Sequence, residues 1–149
     1  LTVRPVDSRA TLLDAIAAGD RAFDRSEPWT GESLAADLAL CTAPGTRVHR
    51  FVAYDDRGAP VASGGMSSFP ALEMGLLWAG GTVPEARGHG AYRSLLAARV
   101  ARARQLGLRW VGLYARTTSS APIVDRLGFE RHGEMHYWER SDCAVTAPR

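Results

Sequence analysis

At 149 residues and 46% apolar content the chain has the size of one domain and the hydrophobic mass for one core, which excludes a disordered or fibrous protein. Its 18 basic residues, all arginine, face 16 acids for a net charge of +2, so there is no basic excess that would name nucleic acid as the main partner. Cys41 and Cys143, with no Cys-x-x-Cys or His-x-x-x-His spacing, build neither a disulfide framework nor a metal centre.

Leu1 to Val6 reads as a short strand, followed by a helix from about Ala10 to Phe23. Asp24 to Trp29 is a polar, proline-containing loop. Thr30 can cap a second helix carrying Leu34, Leu38 and Leu40, which Pro44-Gly45 ends. The period then shortens: Val48 to Tyr54 and Pro60 to Phe69 read as strands around the hairpin turn Asp55-Asp56-Arg57-Gly58. Met74 to Val83 is a third long strand, interrupted at Gly80-Gly81, where a glycine pair marks a bulge or a close backbone approach. A helix from Ala91 to Leu106 puts Tyr92, Leu95, Leu96, Val100, Ala103 and Leu106 near one face, and Arg99, Arg102 and Arg104 read as its solvated side. Gly107 ends it. Arg109 to Ala115 is an apolar strand, Ser119 or Ser120 caps a short helix through Leu127, and Glu130 to Glu139 is a final strand. This order predicts a mixed α/β (α+β) sheet with helices on both faces, as one domain over residues 1–149.

Between the long strand and its helix runs Gly80-Gly81-Thr82-Val83-Pro84-Glu85-Ala86-Arg87-Gly88-His89-Gly90-Ala91-Tyr92. The first N–H groups of a helix have no internal acceptor, and the aligned peptide dipoles put roughly half a positive charge there, so a glycine-rich turn at this point suits a phosphate. A tight strand-to-helix bend is the plainer use of the same glycines. A P-loop is excluded because the chain has no lysine. A dinucleotide fingerprint would want glycine where Arg93 stands.

Pro84, Arg87, Gly90 and the Leu95-Leu96 pair resemble the acetyl-CoA pyrophosphate loop of the GNAT N-acetyltransferase superfamily, Gln/Arg-x-x-Gly-x-Gly/Ala. Asp125-Arg126-Leu127-Gly128-Phe129 resembles that family's "YEKLGF" segment, and the likeness is specific over residues 74–138. It implies a GNAT-like domain with a six- to seven-stranded sheet and a splayed strand pair. The cofactor arm would lie against the backbone of Gly80, Gly81 and Thr82, and its phosphates against Arg87, Gly88, His89, Gly90, Ala91, Tyr92 and Arg93. Acetyl-CoA is then the co-substrate, no metal is required, and the acceptor is the primary amine of a small molecule or peptide. A second register, with Glu85 opening the motif and Gly88 and Gly90 as its glycines, stays open.

Three departures stand out. Tyr92 occupies the last small position of the loop, and Val124 stands where many members carry the tyrosine that protonates the departing thiolate; Thr117 replaces a common asparagine. Amine attack on a thioester needs mainly alignment, a polarising N–H and removal of a proton. Glu73, at the head of the long strand, is the candidate base acting through water. His132, His136 and Tyr137 are alternatives near the last strand, and Trp29 in the loop Arg25-Ser26-Glu27-Pro28-Trp29 can wall the acceptor site. A non-catalytic acyl-CoA-binding or regulatory domain, and a plain interaction module, remain the other readings. With no bilayer-length apolar run and no signal-peptide pattern, a reducing cytoplasm is expected. The start at Leu1 allows a fragment of a longer chain, and a homodimer is one option for the assembly.

Overall fold

The computed structural model describes residues 1–25 and 28–138; Ser26, Glu27, Glu139 and Cys143 lie outside that range. The chain divides into two compact units, Leu1–Leu113 and Tyr114–Arg149.

In the first unit, β1 (Thr2–Pro5), β2 (Val48–Tyr54), β3 (Pro60–Phe69), β4 (Met74–Thr82) and β5 (Trp110–Leu113) form one sheet in sequence order. The first four strands are antiparallel; β4 and β5 are parallel, as the intervening helix α3 (Ala91–Gln105) requires. The mixed α/β sheet with helices on both faces is as the sequence predicts, but it holds five strands among the described residues rather than six or seven. Strand alternation sorts the two faces. Val52 points to α1 (Arg9–Phe23) and α2 (Gly31–Thr42), in a core with Leu12, Ala15, Ile16 and Leu34. Phe51 and Ala53 point the other way, onto Leu95 and Ala91 of α3. Local signals start the helices where expected. The Ser8 hydroxyl accepts from Thr11 N at 3.3 Å, and that of Thr30 from Ser33 N at 3.1 Å, each cap contributing about 1 kcal/mol.

Helix α3 corrects one expectation. Arg102 and Arg104 face outward to differing degrees, but Arg99 is 1% exposed and is one of the largest fully buried side chains. It occupies the inward line Ala91, Leu95, Arg99, Ala103, whereas Leu106 turns outward. Packing of β3 on β4 uses glycine as space: a Cβ at Gly65 would fall 2.3 Å from the Trp78 ring, whose Nε1 donates to Ser67 Oγ at 3.0 Å. Gly65→Ala must displace that indole. We expect a loss of about 1–3 kcal/mol, read as a melting temperature lower by on the order of 5 °C or more; an unchanged midpoint would refute this packing.

The second unit contains α4 (Ala121–Asp125), which ends where Gly128 takes a positive φ of 83° and Phe129 N donates to Val124 O at 3.1 Å. The final strand expected from Glu130 does not form over residues 130–138. A strand persists only where a neighbouring backbone takes up its alternating N–H and C=O groups. Here Gly133 interrupts a run rich in charge, and Tyr137 and Trp138 are 79% and 94% exposed.

Candidate active site

The turn between β4 and α3 begins with a single 3₁₀ turn, Pro84–Ala86, and passes through Gly88 and Gly90 at φ of 80° and 84°. That left-handed geometry is one that L side chains rarely adopt, and it directs successive amides to one side. Among the described residues the backbone N–H groups of Gly88, His89, Gly90, Ala91, Tyr92 and Arg93 find no acceptor; the ladder of α3 begins with Ser94 N to Gly90 O at 3.0 Å. A Cβ at Gly88 or Gly90 would meet nothing within 4 Å, so no protein atom crowds either position. Together these donors and the N-terminal end of a 15-residue helix form an anion cradle.

Arg87 braces the turn. Its Nε donates to Thr82 O at 3.3 Å and its Nη2 to Ala22 O at 3.4 Å, tying the loop to the end of α1. Arg21 of α1 pairs with Glu85 on the surface. The Thr82 carbonyl and the Arg87 guanidinium are thus engaged with each other, while His89 and Arg93 are exposed at the cradle.

The bulge lies immediately upstream. Ser63 and Gly65 of β3 oppose Gly81 and Trp78 of β4, so β4 carries one extra residue, and Ala79 takes the left-handed conformation at φ 46°. The two glycines beside it permit contact on opposite faces. A Cβ at Gly80 would lie 3.0 Å from Arg99 Nη2 and 3.1 Å from Tyr92 Cε2, and one at Gly81 would lie 2.9 Å from Ala22 Cβ and from the Phe23 ring. The ladder with β5 ends at the pair Leu77 and Leu113, so the outer edge of β4 from Trp78 to Thr82 has no partner strand within the unit Leu1–Leu113.

On the α1 face of the bulge lies a cavity of about 110 Å³ lined by Gly19, Asp20, Phe23, Arg25, Trp29, Arg50, Ser63, Trp78 and Ala79, among others. Arg50 is paired with Asp37, and Arg25 stacks on Phe23 with its guanidinium carbon 5.4 Å from the ring centroid. The Asp20 carboxylate has no ion-pair partner among the described residues and is half-buried. The cavity thus has aromatic walls, one acid and one arginine without an ion pair among the described residues, and a bulged strand as floor. A larger hollow of about 560 Å³ lies at the far end of α3, around Arg47, Ser68, Arg102 and Leu106. It is remote from the cradle, and the C-terminal ends of α2 and α3 meet there, so we do not assign the chemistry to it.

The structure gathers Gly80, Gly81, Thr82, Arg87, Gly88, His89, Gly90, Ala91, Tyr92 and Arg93 around one strand end and one helix start. It does not bring Glu73 to them. Glu73 heads β4 in a left-handed turn at φ 48°, its carbonyl accepting from Arg109 N and Trp110 N at 2.8 and 2.9 Å, and at strand rise it is about 20 Å from Ala79. His132, His136 and Tyr137 belong to the second unit and are exposed there. Trp29 does line the cavity. Asp20 and Arg99 were missed by the sequence reading. Arg99 had a legible signal, a charged residue four positions from Leu95 and from Ala103 in an apolar line; Asp20 had none beyond its neighbour Gly19, where α1 comes close to β3.

No family model matches the chain, and no curated protein does. Solved structures do match it. An acetyltransferase of Trypanosoma brucei is 20% identical at a TM-score of 0.74, covering 93% of this chain and 99% of that one. Glucosamine-6-phosphate N-acetyltransferase from Arabidopsis thaliana is 11% identical at a TM-score of 0.75, with 93% and 99% covered. The aminoglycoside acetyltransferase AAC(6')-Iy, in complex with the bisubstrate analogue CoA-S-monomethyl-acetylneamine, is 16% identical at 0.74, with 93% and 97% covered. The chain therefore has the GNAT acetyltransferase fold.

Proposed function

We propose that the protein is an acetyl-CoA-dependent N-acetyltransferase acting on a small primary amine. The observation that carries this is the run of unpartnered N–H groups from Gly88 to Arg93 at the start of α3, directly beyond a bulged strand with a free outer edge. In this reading the amides of the turn and the helix dipole hold the pyrophosphate, and the β4 edge from Trp78 to Thr82 takes the amide-bearing arm as an added strand. The thioester then reaches Ala79 and Gly80. The amine enters from the aromatic cavity, where Asp20 attracts its ammonium form. Once deprotonated to water, the nitrogen lone pair attacks the carbonyl carbon and the C=O pair moves to oxygen, where a bulge N–H donates to it. As the intermediate collapses the nitrogen gives its second proton to water, the carbonyl re-forms, and the C–S bond breaks with its electrons leaving on sulfur, which takes a proton from water. Alignment of this kind supplies about 7 to 11 kcal/mol of the barrier reduction. A small amine also agrees with the named substrates of the similar structures, an amino sugar phosphate and aminoglycosides.

Calorimetry with acetyl-CoA, followed by thiol release over a panel of amines, tests the proposal. We expect saturable binding and turnover with at least one small amine. Binding without turnover on any amine would favour the non-catalytic reading, and no binding would refute both.

A further inference from the structure

Arg99 is a buried guanidinium with no carboxylate beside it among the described residues. Its Nε donates to Leu95 O at 3.3 Å and its Nη1 to Gly65 O at 3.4 Å, a carbonyl at the bulge, where the β3–β4 ladder is irregular. Nη2 has no partner. The guanidinium lies against two glycines: a Cβ at Gly64 would stand 3.1 Å from Nη1, and one at Gly80 would stand 3.0 Å from Nη2 and 3.3 Å from Nη1. Nη1 is thus on the β3 side and Nη2 on the β4 side, behind the stretch whose outer edge lacks a partner strand. The titratable group facing it is Tyr92 of its own helix; β3 and β4 present glycine.

Taking a cation out of water without a counter-ion is costly, and an apolar side chain of the same volume would serve the packing as well or better. Space-filling therefore does not account for Arg99. We infer that Arg99 is a positioning residue of the acyl-transfer site: oriented by its bond to Gly65 O, it puts a fixed positive charge behind Gly80, where negative charge develops on the substrate thioester. The inference rests on the proposed acetyl-CoA site. Negative charge appears first on the carbonyl oxygen and then on the departing sulfur, and a preorganised cation in a water-poor site stabilises both. A sulfur that leaves as a stabilised thiolate also needs no proton donor at hand.

Binding of free CoA tests this without catalysis. The affinity of the protein for CoA is measured from pH 6 to 10, with thiolate absorbance followed in the complex. A cation near the sulfur should lower the bound thiol's pKa by about one unit or more from the ordinary thiol value near 8.5. Arg99→Met should abolish that shift, keep CoA affinity near pH 6 within about threefold, melt no lower than the parent, and reduce kcat at least tenfold with KM for acetyl-CoA little changed. Arg99→Lys should restore part of the shift and of kcat. A parent thiol that titrates like free CoA, or an Arg99→Met protein that retains the shift, overturns the inference while leaving the CoA site intact. An Arg99→Met protein that melts well below the parent makes the residue structural and likewise overturns it. A parent that does not bind CoA refutes the proposed function and this inference with it.

Discussion

Gly90→Val is expected to weaken CoA binding by well over tenfold while the protein stays folded. At φ 84° Gly90 is in the left-handed region, where a β-branched residue is strained by roughly 1–3 kcal/mol. The new side chain would meet nothing in the protein, because a Cβ there has no heavy atom within 4 Å. Its bulk would instead stand in the open space beside the turn, and relaxation of φ would turn the His89, Gly90 and Ala91 amides away from a common point. A control separates strain from lost binding. Gly58, in the β2–β3 hairpin, has a φ of 80° and equally open surroundings, so Gly58→Val carries the same backbone penalty far from the cradle. Calorimetry should then find normal CoA affinity in Gly58→Val and a severe loss in Gly90→Val. Equal affinities in the two folded variants would remove the pyrophosphate from this turn.

The second large effect is expected at Asp20. Asn keeps the shape of the side chain and removes its charge, so the variant isolates the attraction for an ammonium. A hydrogen bond to a charged group contributes about 1.5–3 kcal/mol, which corresponds to a rise in KM for the amine of roughly ten- to a hundredfold. The kcat should change less, since the bond to the cation is not unique to the transition state. With rising pH the acceptor becomes neutral and the gap between Asp20→Asn and the parent should narrow. Glu73→Gln, measured alongside, is expected to behave like the parent because about 20 Å of extended β4 separates it from the bulge. If Glu73→Gln instead loses about a hundredfold near neutral pH and Asp20→Asn loses nothing, proton removal belongs to Glu73 through water, and the cavity assignment falls.

The cradle was legible because its chemistry is local. Glycines at 88 and 90 and a helix starting at Ala91 determine positive φ angles and unpaired amides within one stretch of chain, whatever packs around it. The Gly80-Gly81 pair announced a bulge for the same reason, although the structure puts the left-handed residue at Ala79 and uses the two glycines for approach by Arg99 and Tyr92 on one face and Phe23 on the other. Glu73 was proposed from strand position alone, and strand alternation describes which face a side chain takes, not how far along the strand it lies from the bulge. Asp20 was invisible in sequence: a carboxylate near the end of an amphipathic helix is usually solvated, and only the crossing of α1 over β3 and β4 closes Phe23, Trp29 and Trp78 around it.

The amino-acid sequence by itself determined the order of helices and strands through Leu127, the cap at Thr30, and the turn glycines with the unpartnered amides beside them, since each depends on residues within a few positions of one another. Tertiary structure alone decided the strand count, the absence of a strand over residues 130–138, the burial of Arg99 and the pocket around Asp20. A ladder needs a partner strand and a buried charge needs a surrounding core. Both come from segments distant in sequence, so no local pattern could announce them.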